Sequence, residues 1–283
     1  MIESLVYTVA DAAVYFGLVL SMWISFRLLR YPDLALEQLF VLGSAIFATV
    51  VSLGMSPLLA LPALMAVALV LGASASLLRN WLGINAILVS LLAAYFYYSM
   101  TLTILGGPNM FLGDLAKHPS PGETTAVAAI TFGGLVSGLA VLFGTPLGLR
   151  ILACGANWQL ARRYGLQPLR SQAIGLSAAF MCTLVAGAIN TWRMNTVDVG
   201  DGDGLLLVAI FSVLVTRGMQ RRVRLVPNAL MLAAVLLAYL VVLQIAVHIG
   251  LPPHWLSGAK AFALLLVIAV LPFDARNELR VAN

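Results

Sequence analysis

The feature that most constrains this chain is its series of long apolar runs. We read nine, at about 8–29, 34–53, 57–78, 81–105, 124–143, 171–192, 204–216, 226–249 and 257–272. Most have the length of a helix that crosses about 30 Å of hydrocarbon at about 1.5 Å per residue. Backbone in lipid must satisfy its own hydrogen bonds, so such runs are helices. Composition supports this: 10% of residues are charged and 61% hydrophobic, with a mean hydropathy of +1.00. A soluble domain carries about 25% charged residues. The fold expected is an all-α polytopic integral membrane protein of about nine transmembrane helices, within a range of eight to ten. Residues 1–283 form one transmembrane domain, with no room for a separate soluble one.

The charges orient the chain. With the N-terminus outside, thirteen of the sixteen Lys and Arg fall on the inner side: Arg27, Arg30, Arg79, Arg150, Arg162, Arg163, Arg170, Arg217, Arg221, Arg222, Arg224, Arg276 and Arg280. The outer side keeps Lys117, Arg193 and Lys260. This bias predicts a cytoplasmic C-terminus and an odd number of crossings. The net charge of +5 lies between apolar runs, so it does not point to nucleic acid. Residues 1–10 lack a basic stretch, so the first run is expected to stay as a span.

Few residues offer chemistry. There is no Walker A pattern, so the chain is not expected to hydrolyse ATP. His118, His248 and His254 have no partner at ligand spacing, and Cys154 and Cys182 are expected to be free thiols. Asn85, Gln172, Asn190 and Gln244 read as polar groups deep in spans, fit for hydrogen bonding. Asp33 and Glu37, four apart at the inner start of the second run, read either as a gate or proton site or as helix caps paired with Arg27 or Arg30. Tyr95, Phe96, Tyr97 and Tyr98 read as an interface belt rather than a substrate cage. Gly200, Gly202 and Gly204 imitate a phosphate loop, but we expect no strand before them, and the interleaved aspartates would repel phosphate. The run 204–216 spans only about 20 Å as a helix, so it is expected to be broken or re-entrant.

The longest patterned polar stretch lies within an inner loop at about 144–170. Its small or polar residues are Ala153, Gly155, Asn157, Ala161 and Gly165, and its basic rim includes Arg162 and Arg163. Asn157, Ala161 and Gly165 are spaced by four, which predicts one smooth helical face for docking. An ordinary positively charged loop is the competing reading.

The pattern Ala153-x-Gly155-x-Asn157-x3-Ala161-x3-Gly165-Leu166 resembles the coupling loop of bacterial ABC-importer permeases for sugars and branched-chain amino acids. Pro32-Asp33-Leu34 with Phe40-x2-Gly43, and the turn from Asp198 to Gly202, are similar to further stretches of those proteins. The chain most resembles the short permeases for tryptophan or tyrosine uptake. The resemblance implies an ATPase dimer under the loop, with ATP and Mg bound by that partner and no cofactor in this chain. It also implies a second permease copy, an external or periplasmic solute-binding protein, and a site in the bacterial cell inner membrane. Asp33, Glu37, Asn85 and Asn190 then become candidates for the translocation path. Ala35 and Gln38 stand where the family usually has Thr and Gly, so the solute is open between an aromatic amino acid and another small organic molecule. Two other classes compete: an ion-coupled secondary transporter using Asp33 or Glu37, and a non-transporting membrane scaffold.

Overall fold

The computed structural model describes residues 2–31, 33–81, 83–113, 119–219, 225–250, 252 and 255–270. His118, His254, Arg221, Arg222, Arg224, Arg276 and Arg280 lie outside the described residues, as do Lys117 and the rest of the tail.

Every apolar run is a helix. They are α1 (Ile2–Trp23), α2 (Leu36–Ser52), α3 (Ala60–Trp81), α4 (Ala86–Leu105), α5 (Pro121–Gly144), α8 (Pro168–Met194), α9 (Leu205–Met219), α10 (Leu225–His248) and α11 (Leu256–Val270). Two shorter helices, α6 (Pro146–Ala156) and α7 (Trp158–Arg163), fill the patterned loop. Among the described residues, seven helical segments are long and apolar enough to cross a membrane. The shortfall from nine lies in α2, with 17 residues, and α11, with 15. α9 reaches crossing length only with the 3-10 turn Val199–Gly202 before it, giving the segment Val199–Arg217. The broken reading of that run therefore describes it.

The helix ends agree with their sequence signals. Ser120 and Glu123 close a capping box on α5, with Pro121 in the first turn. Gly106 and Asn195 take left-handed conformations that stop α4 and α8. The all-α expectation misses one feature. β1 (Asn109–Phe111) pairs antiparallel with β2 (Thr196–Asp198), Met110 opposite Val197. These are the two polar turns that come after α4 and α8. Once side by side, their extended backbones satisfy each other. A strand therefore does precede the glycine-rich turn. The turn is closed by its own acids, because Asp198 accepts from Gly200 N and Asp201 from Asp198 N.

α8 and α2 form the centre. The apolar window of α8 is 78% buried, against 17% for α5 and for α10, which therefore lie on the outside of the bundle. The central pair touches through bare backbone. A Cβ on Gly187 would stand 1.9 Å from the Phe40 carbonyl, and one on Gly43 would stand 2.2 Å from that of Leu184. Ser44 donates to the Gly187 carbonyl at 3.0 Å across the same contact. Small residues at a membrane helix crossing allow this approach. Tyr95, Phe96 and Tyr98 are exposed, as a belt requires, whereas Tyr97 is buried in the core.

Candidate functional site

The patterned loop is two helices, not one. Thr145 caps α6 by accepting from Gly148 N, and Pro146 opens it. α6 stops at Asn157, whose backbone is extended, and the Asn157 side chain then accepts from Leu160 N at 3.0 Å to start α7. Gly165 has φ +75. Leu166 N bonds the Ala161 carbonyl and Gly165 N bonds that of Arg162, each at 3.1 Å. That pair of bonds is a Schellman stop, which a left-handed glycine permits.

The expectation of one smooth face through Asn157, Ala161 and Gly165 is therefore corrected. Asn157 is the N-terminal cap, Gly165 is the C-terminal stop, and Ala161 between them is buried at 5% exposure against the rest of the chain. Gly155 and Cys154 are also buried, while Ala153 is exposed. The outward face of α7 is Leu160, Arg162, Arg163 and Tyr164, the last 79% exposed.

This element belongs to a basic end of the molecule. Gly155 of α6 lies against Leu28 and Leu29, and Gly175 of α8 lies against Leu29 and Ile151. Asn80 donates to Gln172 at 2.7 Å, bringing the end of α3 to the same level. Arg79 stands over the Tyr31 ring, and Arg217 lies in the field of Arg27 and Arg30. The opposite end carries β1–β2, Asp198 and Asp201, and an ion pair between Asp11 of α1 and Arg193 of α8.

The four polar candidates separate. Asn85 is exposed and caps α4 through Ile87 N, so it is not deep in a span. Asn190 is buried on α8 and accepts from Arg193 at 3.5 Å. Asp33 lies in the connection between α1 and α2, 1% exposed, accepting Ala35 N at 2.9 Å. Burial pushes its carboxyl up to about 6, partly offset by that N–H, with Tyr31 and Tyr97 in its field. Glu37 accepts from Leu206 N at 2.8 Å, at the start of α9. The expected place of Glu37 at the inner start of the second run, and the expected pairing with Arg27 or Arg30, are thus corrected: Glu37 lies against Gly202, at the end that carries Asp198 and Asp201. Both carboxylates take backbone N–H groups, and Glu37 faces Lys260 of α11 and Asp203. These partners, and Asp11 with Arg193, are not evident from the sequence. Asp11, an acid within the first apolar run, is the one local signal. Among the described residues no group of three His, Cys, Asp or Glu lies together as a metal site, and Cys154 and Cys182 are free and buried.

Residues 4–271 match the family model for the permease component of branched-chain amino acid transport systems. A Rickettsia prowazekii (strain Madrid E) protein without an assigned function is 26% identical over 258 residues, covering 88% of this chain and 91% of its own. The tyrosine transport system permease protein of Clostridioides difficile (strain R20291) is 27% identical over 221 residues, covering 76% of this chain and 70% of its own. No solved structure matches the chain.

Proposed function

This chain belongs to the family of branched-chain amino acid transport system permease components, and from that premise we propose that it is the membrane subunit of an ATP-binding-cassette importer. A pair of copies would line the solute path. A cytosolic ATPase dimer, holding ATP and Mg, would dock on α7. An external or periplasmic binding protein would deliver solute. The basic end would face the cytoplasm of a bacterial inner membrane, by the positive-inside rule. The N-terminus would then lie outside and the C-terminus inside.

The observation that carries this reading is α6–α7. A six-residue helix with an outward Leu160, Arg162, Arg163 and Tyr164 stands at the basic end. It is tied back to the spans by Gly155. Exposed apolar and aromatic side chains with a basic rim suit a protein surface. The solute proposed is an aromatic amino acid, on the name of the clostridial relative. An ion-coupled carrier would use Asp33 or Glu37, and each of these already accepts a backbone N–H, from Ala35 and from Leu206.

The test is co-purification of the full chain with a candidate ABC ATPase from the same genome, then ATP-driven uptake of labelled L-tyrosine into proteoliposomes with a candidate binding protein. Uptake that ignores ATP but tracks an imposed ion gradient would overturn the importer. ATP-driven uptake of another solute would overturn only the aromatic assignment.

A further inference from the structure

Where α1 ends, its winding widens into a π-turn over Ile24–Leu28. Leu29 N reaches Ile24 O, five residues back, at 3.1 Å, and Tyr31 N reaches Ser25 O, six back, at 2.8 Å. The buried Ser25 hydroxyl donates to Ser21 O at 2.9 Å. Arg30 comes next with φ 49. Such single turns are rare and concentrate at functional sites.

The π-turn meets α6 through backbone alone. A Cβ on Gly155 would lie 2.0 Å from the Leu28 carbonyl oxygen and 3.2 Å from Leu29 Cα. The residue four beyond Leu28 is Pro32, which has no N–H to return to that carbonyl. A glycine Cα–H directed at a carbonyl is a weak but recurring attraction. On the far side, a Cβ on Gly175 of α8 would meet Leu29 Cδ2 at 2.7 Å and Ile151 Cγ2 of α6 at 3.2 Å. The π-turn is thus clamped between α6 and α8. α6 is a rigid arm of about 16 Å, and it meets the π-turn at the end that carries Asn157 and α7, since Gly155 is its next-to-last residue.

We propose that the π-turn at Ile24–Leu28, pressed by Gly155, is the joint through which a movement of α7 enters the membrane core. This rests on α7 being the ATPase dock. A π-turn holds one more residue than an α-turn. Rewinding it would draw the segment beyond Leu28 by about 1.5 Å, the rotation of roughly 100° being taken up in the non-helical connection before α2. That segment comprises the connection bearing Asp33 and then α2, at the centre of the bundle. Gly155 is a positioning residue in this scheme. It touches no solute, and any side chain there would separate arm from joint.

The test uses the full chain with its ATPase in lipid nanodiscs, with and without ATP plus vanadate. Spin labels replace Tyr7 on α1, Gln159 on α7 and Tyr95 on α4, all exposed. In the otherwise unaltered chain the Tyr7–Gln159 distance should hold while Tyr95–Gln159 changes by about 2 Å, the scale of helix shifts in switching transitions. In Gly155→Ala the Tyr7–Gln159 distance should also change, with the ATPase still bound. Unaltered distances in Gly155→Ala, or a Tyr7–Gln159 change already present without it, would overturn the joint. So would loss of the ATPase from Gly155→Ala, which would make the contact a support for the docking surface. Failure of the unsubstituted chain to bind the ATPase would instead overturn the docking reading. The distances in the unsubstituted chain do not depend on whether the variant folds.

Discussion

The Glu37 carboxylate accepts the backbone N–H of Leu206 at 2.8 Å, joining two residues 169 positions apart. It satisfies an orphan donor at the start of α9, and its charge suits the positive end of that helix. Glu37→Ala should leave the donor unmet and lower stability by about 1–3 kcal/mol. Glu37→Gln keeps an acceptor and should cost less. Thermal unfolding of the purified chain in detergent checks the order; equal losses in the two variants would remove the capping role.

Asp33 gives a pH dependence with a definite sign. Its carboxyl is held at about 6 in the fold, against an ordinary value of 3.8. Between those values the folded chain binds more protons than the unfolded one. This contribution therefore favours folding at low pH and is lost as pH rises through about 6. Asp33→Asn keeps an oxygen for Ala35 N and never ionises. The variant should be the more stable one at pH 7.5, by roughly 3 kcal/mol at most. The gap should close toward pH 4. Melting temperatures of both proteins across that range test this, and a gap that does not vary with pH refutes it.

The helices were legible because lipid imposes both length and hydrogen-bond closure on a span. The site was less legible, for a specific reason. A spacing of four at Asn157, Ala161 and Gly165 fits one helical face, yet it fits equally well a cap, one buried turn and a glycine stop. Asn at a start and Gly at an end are the stronger local signals. The partners of Glu37 are supplied by α9 and by Lys260 on α11, and nothing near Glu37 in the chain announces them. The strand before Gly200 is hidden in the sequence because it forms only against β1.

The α2–α8 contact should tolerate no added carbon. Gly187→Ala would drive a methyl to 1.9 Å from the Phe40 carbonyl, whose helix cannot move without repacking. Overpacking of this kind costs about 1–3 kcal/mol or more. Gly138→Ala on α5 meets nothing within 4 Å and should be neutral. The yield of monodisperse protein on size exclusion compares them, and equal yields would contradict the packing.

The charged ends of the molecule predict its orientation. Cysteines placed at Asp198 and at Arg163 are both exposed, at opposite ends. In intact spheroplasts an impermeant thiol reagent should label the first, and should label the second only after permeabilisation. Reversal of that order would invert the topology.

Ala161 of α7 is buried. A large side chain at Ala161 would not simply hold a partner away; it would lift α7 from its own support. Ala161→Trp should therefore lower stability, and its effect on the ATPase would not identify a contact. The informative positions are Leu160, 49% exposed, and Tyr164, 79% exposed. Leu160→Asp and Tyr164→Asp replace apolar contact area with charge at the centre of the proposed interface, where charged residues are depleted. Each should weaken ATPase capture at least tenfold with an unchanged melting temperature. Arg162→Ala and Arg163→Ala stand at the rim and should mainly slow association and alter its salt dependence. Binding kinetics of the reconstituted chain with the ATPase separate these effects. If both Asp variants bind the ATPase with unaltered affinity, the outward face of α7 is not the docking surface, whatever the family implies.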